Sequence, residues 1–331
     1  MKKSSSFLLI GSVVVSMLLV FGAVVYGFRS FTLGRLYKRE GSSYLAQKNY
    51  PKAIETYTRL AALQPKSLEA YEGRGGAYYH SGRYDEAIAD YNHALTLAQR
   101  EKSKAFCYTW RGVCYAAEKK WDAAINDYNN ALQHDPQRWH TFRLRGYAYA
   151  KIKRFDAALR DVDEAVRLRP KAASVYAMRG VVYGEMGRYT EAIANCRAAT
   201  ERDAVSYSAW GSLGWEQYKA GKLDAAEGSD RRALELNGSD AVPRFNLALC
   251  LSVQNKATEA KKEYAFAIVD SKPGQKEAAL DELKAAQSAH PNTSAIEASL
   301  RLFTAGEAKS KLNSPQVKRE TSEKESGSEN G

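Results

Sequence analysis

Arginine and aspartate recur in a fixed relation along this chain. Arg74, Arg111, Arg145 and Arg179 each stand immediately before a glycine. Asp90, Asp127 and Asp161 follow that glycine by fifteen residues, with Asn195 in the last copy. A guanidinium facing a carboxylate makes a bidentate, charge-assisted pair. Catalysis needs one such constellation rather than several copies. The repetition therefore predicts structural ion pairs: Arg74 with Asp90, Arg111 with Asp127 and Arg145 with Asp161. Spacing alone leaves open whether each pair closes within one structural unit or between neighbours.

The other reactive side chains make no recognisable set. The five histidines, His80, His93, His134, His140 and His290, include no pair at helical spacing with a glutamate between them. That excludes the metalloprotease arrangement. Cys107, Cys114, Cys196 and Cys250 contain no C-x-x-C pair. On one helix, Cys107 and Cys114 would be separated by about 10 Å of rise, too far for a disulfide. The four read as small, buried, apolar side chains. Gly73-Arg74-Gly75-Gly76 looks like a dinucleotide turn but has no strand before it. Gly214 and Gly221-Lys222 lack the gap of a phosphate loop. With no acid, base and nucleophile together, the expectation is a chain that is not an enzyme and holds no cofactor or metal.

The elements that position these residues show in a period. Gly41, Gly75, Gly112, Gly146, Gly180, Gly214 and Ala248 are spaced by 34 residues, except for one step of 37. Three residues after these anchors stand Tyr44, Tyr78, Tyr115, Tyr149 and Tyr183. Nine after stand Tyr50, Tyr84, Trp121, Phe155, Tyr189 and Leu223. Twelve after, every copy has alanine, from Ala53 to Ala260. Each unit reads as two antiparallel helices that approach closely over small residues, with aromatics between neighbouring pairs. Gly82, Gly187 and Gly221 can end a first helix in the left-handed conformation. Asp85, Asp122, Asp156, Thr190, Asp224 and Thr258 are placed to cap the second helix. Pro65, Pro136 and Pro170 close three of the units.

This pattern resembles the tetratricopeptide repeat family, over residues 34–271 and in seven copies. Gln217 and Asp230 depart from it by replacing expected aromatics, and Ala248 and Leu251 make the seventh copy looser. The resemblance implies an all-α fold, an α-solenoid wound as a right-handed superhelix with a concave face lined by the first helices. Groove positions then fall six and three residues before each anchor and one, four and five after it. They give Glu69, Glu72, Tyr79 and His80 in the second repeat, and Phe106, Thr109, Val113 and Ala116 in the third. The fourth gives His140, Arg143, Tyr147 and Lys151, the sixth Trp215 and Tyr218, and the seventh Phe245 and Leu249. Such a lining is expected to bind a protein or peptide. Some relatives clamp chaperone C-termini through Lys and Asn. Here Ser42 follows Lys38, and Glu72 and Gly76 stand in the next repeat, which argues against that clamp.

Charge adds to this expectation. The net charge of the 331 residues is +11. Ten Lys or Arg and four acids lie between Arg138 and Lys171, a net of +6. The partner is therefore expected to have acidic character; nucleic acid is disfavoured. Self-assembly into a homo-oligomer within a membrane complex is one alternative, and a periplasmic chaperone-like binder of secreted polypeptides is another.

Outside the repeats, a basic segment at 1–6 precedes an uncharged run at 7–28. That run is long enough to cross a hydrocarbon core of about 30 Å as a helix. It predicts an uncleaved single-pass anchor with a juxtamembrane stretch at 29–33 and the body on the extracytoplasmic side. Residues 272–304 read as capping helices that hide the last apolar face. Residues 305–331, rich in Ser, Glu, Lys, Asn and Gly, read as a disordered polar tail.

Overall fold

The computed structural model describes Gly27 and residues 29–312, apart from 239, 272 and 273. The expected anchor at 7–28 thus lies outside the described residues except for Gly27, as do residues 1–6 and 313–331. Among the described residues no helix is long and apolar enough to cross a membrane.

All described elements are helices, and they fall into two compact units, residues 1–148 and 149–331. The first unit holds α1 (residues 29–46), α2 (Tyr50–Leu63), α3 (Leu68–His80), α4 (Tyr84–Leu97), α5 (Glu101–Ala117) and α6 (Trp121–His134). The unit boundary falls within α7 (Trp139–Lys151). The second unit continues with α8 (Phe155–Leu168), α9 (Ala173–Glu185), α10 (Tyr189–Arg202), α11 (Tyr207–Lys219) and α12 (Leu223–Leu236). It ends with α13 (Ala241–Val253), α14 (Ala257–Asp270), α15 (Gln275–Ala289) and α16 (Ser294–Leu312). Within each unit the helices stack as antiparallel pairs, the α-solenoid arrangement.

The small residues do what their spacing suggests. The alanines twelve after each anchor, from Ala53 to Ala260, are all 0% exposed. Against them, the second helix sends a large side chain toward the anchor. A Cβ on Gly41 would lie 2.7 Å from the Tyr57 ring, and one on Gly112 2.7 Å from Tyr128. Glycine is required there because ring and backbone are already in contact. Tyr91 and Tyr128, each about 1% exposed, fill the space and bury most of their rings.

The turns inside the pairs correct the capping expectation. One residue per turn is left-handed: Lys48, Gly82, Lys119, Lys153, Gly187, Gly221 and Asn255. The next residue donates its N–H back to the first helix, as Arg83 does to the Tyr78 carbonyl at 2.9 Å and Lys120 to that of Tyr115 at 2.9 Å. That same residue is the N-cap of the second helix. The helix opens one residue before the expected caps, most often on an aromatic, and in the first pair the N-cap Asn49 accepts from the Lys52 N–H at 3.4 Å. Asp85, Asp122, Asp156, Thr190, Asp224 and Thr258 are second residues of their helices, not caps. The four acids among them instead sit where the exposed N–H groups of a helix start favour negative charge.

The ends also differ from expectation. α1 is already helical at residue 29, so the juxtamembrane stretch is continuous with the first repeat. α16 runs to Leu312, beyond the expected boundary at 304, through the good helix formers Ala, Glu and Lys. It caps the last pair: Phe303 packs edge-on to Tyr264 at 5.4 Å, and Ser252 and Ser299 share a hydrogen bond of 3.1 Å. Asn255 accepts from the Ala295 N–H at 3.2 Å and so fixes the start of α16.

Candidate partner-binding face

The arginines act as staples. Arg74 Nε and Nη2 donate to Asp90 at 2.8 and 2.7 Å, and Arg111 Nε and Nη2 donate to Asp127 at 2.7 and 2.6 Å. Both pairs close within one helix pair, α3 with α4 and α5 with α6. The third nitrogen reaches back to the preceding second helix: Arg74 to Thr58 at 3.3 Å, Arg111 to Asn92 at 2.5 Å. In the second unit Arg179 repeats the geometry with Asn195 at 2.7 Å and Asp163 at 3.0 Å. Arg145 donates to Asn129 at 2.6 Å, while Asp161, 5% exposed, belongs to the other unit. The carboxylate neighbour holds the Arg74 and Arg111 guanidinium pKa above its ordinary value. These groups hold the stack together and do not lie free on the first-helix faces.

On the first unit those faces carry half-buried aromatics. Tyr79 meets Trp110 edge-on at 5.8 Å, and Phe106 packs against Trp110 at 6.1 Å. His80 is exposed and stacks on Tyr50 at 5.4 Å. His140 is exposed beside Trp139, Val113 is half-buried, and Tyr147 stands edge-on to Trp121 at 5.9 Å. Thr109 is not on the surface. It is 4% exposed and shares a 2.8 Å hydrogen bond with Thr141, because α5 and α7 approach closely there. Two basic residues of the expected patch are sunk rather than displayed. Desolvation lowers the Arg143 pKa, and its Nε has no hydrogen-bond partner. Arg138 lies 5.7 Å over the Phe106 ring.

The second unit is filled by its own chain. Phe245 and Leu249 are 6% and 3% exposed, packed with Leu283 and Ala286 of α15. Trp215 and Tyr218, stacked at 5.5 Å, border the same cluster beside Ala279 and Leu280. Glu282 of α15 feels Lys151 and Lys219, and its burial raises its pKa. Lys151 is bonded to Glu185 at 2.9 Å. So α16 takes the place of a next first helix, and α15 lies on the first-helix face. Phe245 is therefore core rather than lining, and Trp215 and Tyr218 are partly covered. Sequence reasoning missed this because α15 carries no 34-residue register. It also missed Trp110, which stands two residues before its anchor and so falls outside the offsets used for the groove.

All four cysteines are free and buried, in agreement with their reading as apolar side chains. Burial pushes the Cys114, Cys196 and Cys250 thiols up to about 12. Such thiols are poor nucleophiles. Among the described residues no cluster of metal-ligating side chains occurs.

Comparison with known proteins agrees with this geometry. The family model of the cilia and flagella-associated protein 70 C-terminal domain matches residues 45–284. A DnaJ homolog subfamily C member 7 homolog from Dictyostelium discoideum is 34% identical over 64 residues, which are 18% of this chain and 12% of that protein. The chain thus spans only a small part of that relative. A tetratricopeptide repeat protein from Parabacteroides merdae superposes with a TM-score of 0.61 at 15% identity, over 77% of this chain and 99% of that one. The APC/C hetero-tetramer Cut9–Hcn1 gives 0.57 at 18% identity, over 76% of this chain and 49% of that one. The protein TTC0263 from Thermus thermophilus gives 0.51 at 21%, over 56% and 99%. At these identities the likeness is one of fold.

Proposed function

Because the chain belongs to the family of the cilia and flagella-associated protein 70 C-terminal domain, a tetratricopeptide repeat domain, we propose that it is a protein-interaction scaffold. Residues 7–28 tether it to a membrane as a single-pass anchor, with the repeats on the extracytoplasmic side. One observation carries the reading. The first unit presents half-buried aromatics, Tyr79, Phe106 and Trp110, along successive first helices, and the buried groups around them are structural. Surface faces that serve no partner seldom gather this much aromatic area. The Cut9–Hcn1 structure, a hetero-tetramer, is a precedent for such a fold assembling with other chains.

The test is crosslinking in intact cells followed by capture of the full chain and identification of what comes with it. The chain is expected in the membrane fraction, and a version lacking residues 1–28 in the soluble one. Tyr79→Ala with Trp110→Ala should remove the captured partners while circular dichroism stays unchanged. Recovery of the same partners by the double variant would refute this face as the site.

A further inference from the structure

The first unit has a notch on its first-helix face that the packing leaves open. α3 carries Gly73 and Gly76 one turn apart on that side. A Cβ on Gly76 would find nothing nearer than the Tyr91 hydroxyl at 3.8 Å, so space opens above it. The result is a cavity of about 550 Å³ that reaches from the α1–α2 turn to α5. Tyr50, stacked on His80, forms one wall, and Phe106 and Trp110 form the other. Two carboxylates line it, Glu69 and Glu72. Glu69 is tied to Lys38 at 3.2 Å.

Glu72 differs from its neighbour. Its hydrogen-bond partner is the weak donor Cys107 Sγ at 3.5 Å, and among the described residues no cation pairs with it. Burial accordingly raises its carboxyl pKa. A partly buried acid surrounded by aromatic faces is short of one thing, a positive charge. Rings attract a cation over their faces, and a carboxylate beneath them neutralises it. Lys48 at the rim is exposed and left-handed, and among the described residues no ion pair joins it to Glu72.

We propose that this notch receives a lysine or arginine side chain of the partner, held between the aromatic walls and bonded to Glu72. The proposal rests on the reading of the first unit as a protein-binding face and gives it a chemistry opposite to the acidic partner expected from net charge.

The test labels the full chain with 5-fluorotryptophan and assigns the Trp110 resonance with Trp110→Phe. The probes are capped tripeptides, acetyl-Ala-X-Ala-amide, with X arginine, lysine, norleucine or glutamate. The arginine and lysine probes should shift the Trp110 signal saturably, and the other two should not. Glu72→Gln should weaken the arginine probe at least about five-fold. An equal response to norleucine, or full affinity in Glu72→Gln, overturns the proposal. No response to any probe also overturns it. If Tyr79→Ala with Trp110→Ala still loses partners in cells, that failure leaves the broader reading of the face intact.

Discussion

Replacing Arg111 by methionine is expected to cost the first unit about 3–5 kcal/mol, read as a lower urea midpoint with an unchanged slope. Asp127 is 1% exposed, and both its oxygens are held by Arg111 alone. Removing the arginine leaves a carboxylate out of water without a partner, and it also frees Asn92 on the preceding helix pair. The effect should therefore greatly exceed that of Arg59→Met, whose partner Glu55 is 61% exposed and stays solvated. Adding Asp127→Leu to Arg111→Met should restore most of the loss, because an apolar pair of similar volume needs no partner. A single variant as stable as the parent would show that the staples do not hold the stack together.

Asp230→Val is expected to stabilise the second unit by at least about 2 kcal/mol at neutral pH. Asp230 stands where other repeats place Tyr91, Tyr128 or Val162 against the anchor glycine, and a Cβ on Gly214 would lie 2.4 Å from its Oδ1. It is 0% exposed, and neither carboxyl oxygen has a hydrogen-bond partner. Desolvation raises its pKa well above the ordinary value. The sign of the pH dependence follows. The folded state holds this proton to higher pH than the unfolded chain does, so the contribution is fully present below about 4, the unfolded value, and is lost as pH rises toward the folded pKa. Midpoints measured across pH should fall with rising pH in the parent and be flatter in Asp230→Val. Parallel curves would mean that the carboxyl has found a partner.

The stack itself was legible in the sequence because it rests on small residues whose role is steric. Gly41 or Ala53 tolerates nothing larger, so the period survives where aromatics vary. The capping residues misled because a one-residue shift in helix start depends on the turn, and in Lys119 and Lys153 the left-handed residue is not glycine. Spacing named Arg111 and Asp127 as partners but left open whether they meet within a helix pair or between neighbours, since one guanidinium serves its own helix pair and the preceding one together. On the candidate face, Thr109 and Phe245 had the right offsets but lie under neighbouring helices, α7 and α15 respectively. Offsets describe one helix, whereas exposure depends on what lies across it. The net charge pointed to acidic ligands, yet within that basic stretch Arg143 is desolvated and Arg138 lies over the Phe106 ring, so the charge is not all displayed on the face.

The central claim is that the chain works through the first-helix face of its first unit, while the equivalent face of the second is occupied by α15. Site-specific photo-crosslinking in intact cells tests it most directly, with a benzophenone side chain placed at Tyr79, at Thr96 on the exposed side of α4, or at Tyr218. Intermolecular adducts are expected from position 79, none from 96, and an internal link to α15 from 218. Adducts from 96 as abundant as those from 79, or partner adducts from 218 in place of the internal link, would contradict it.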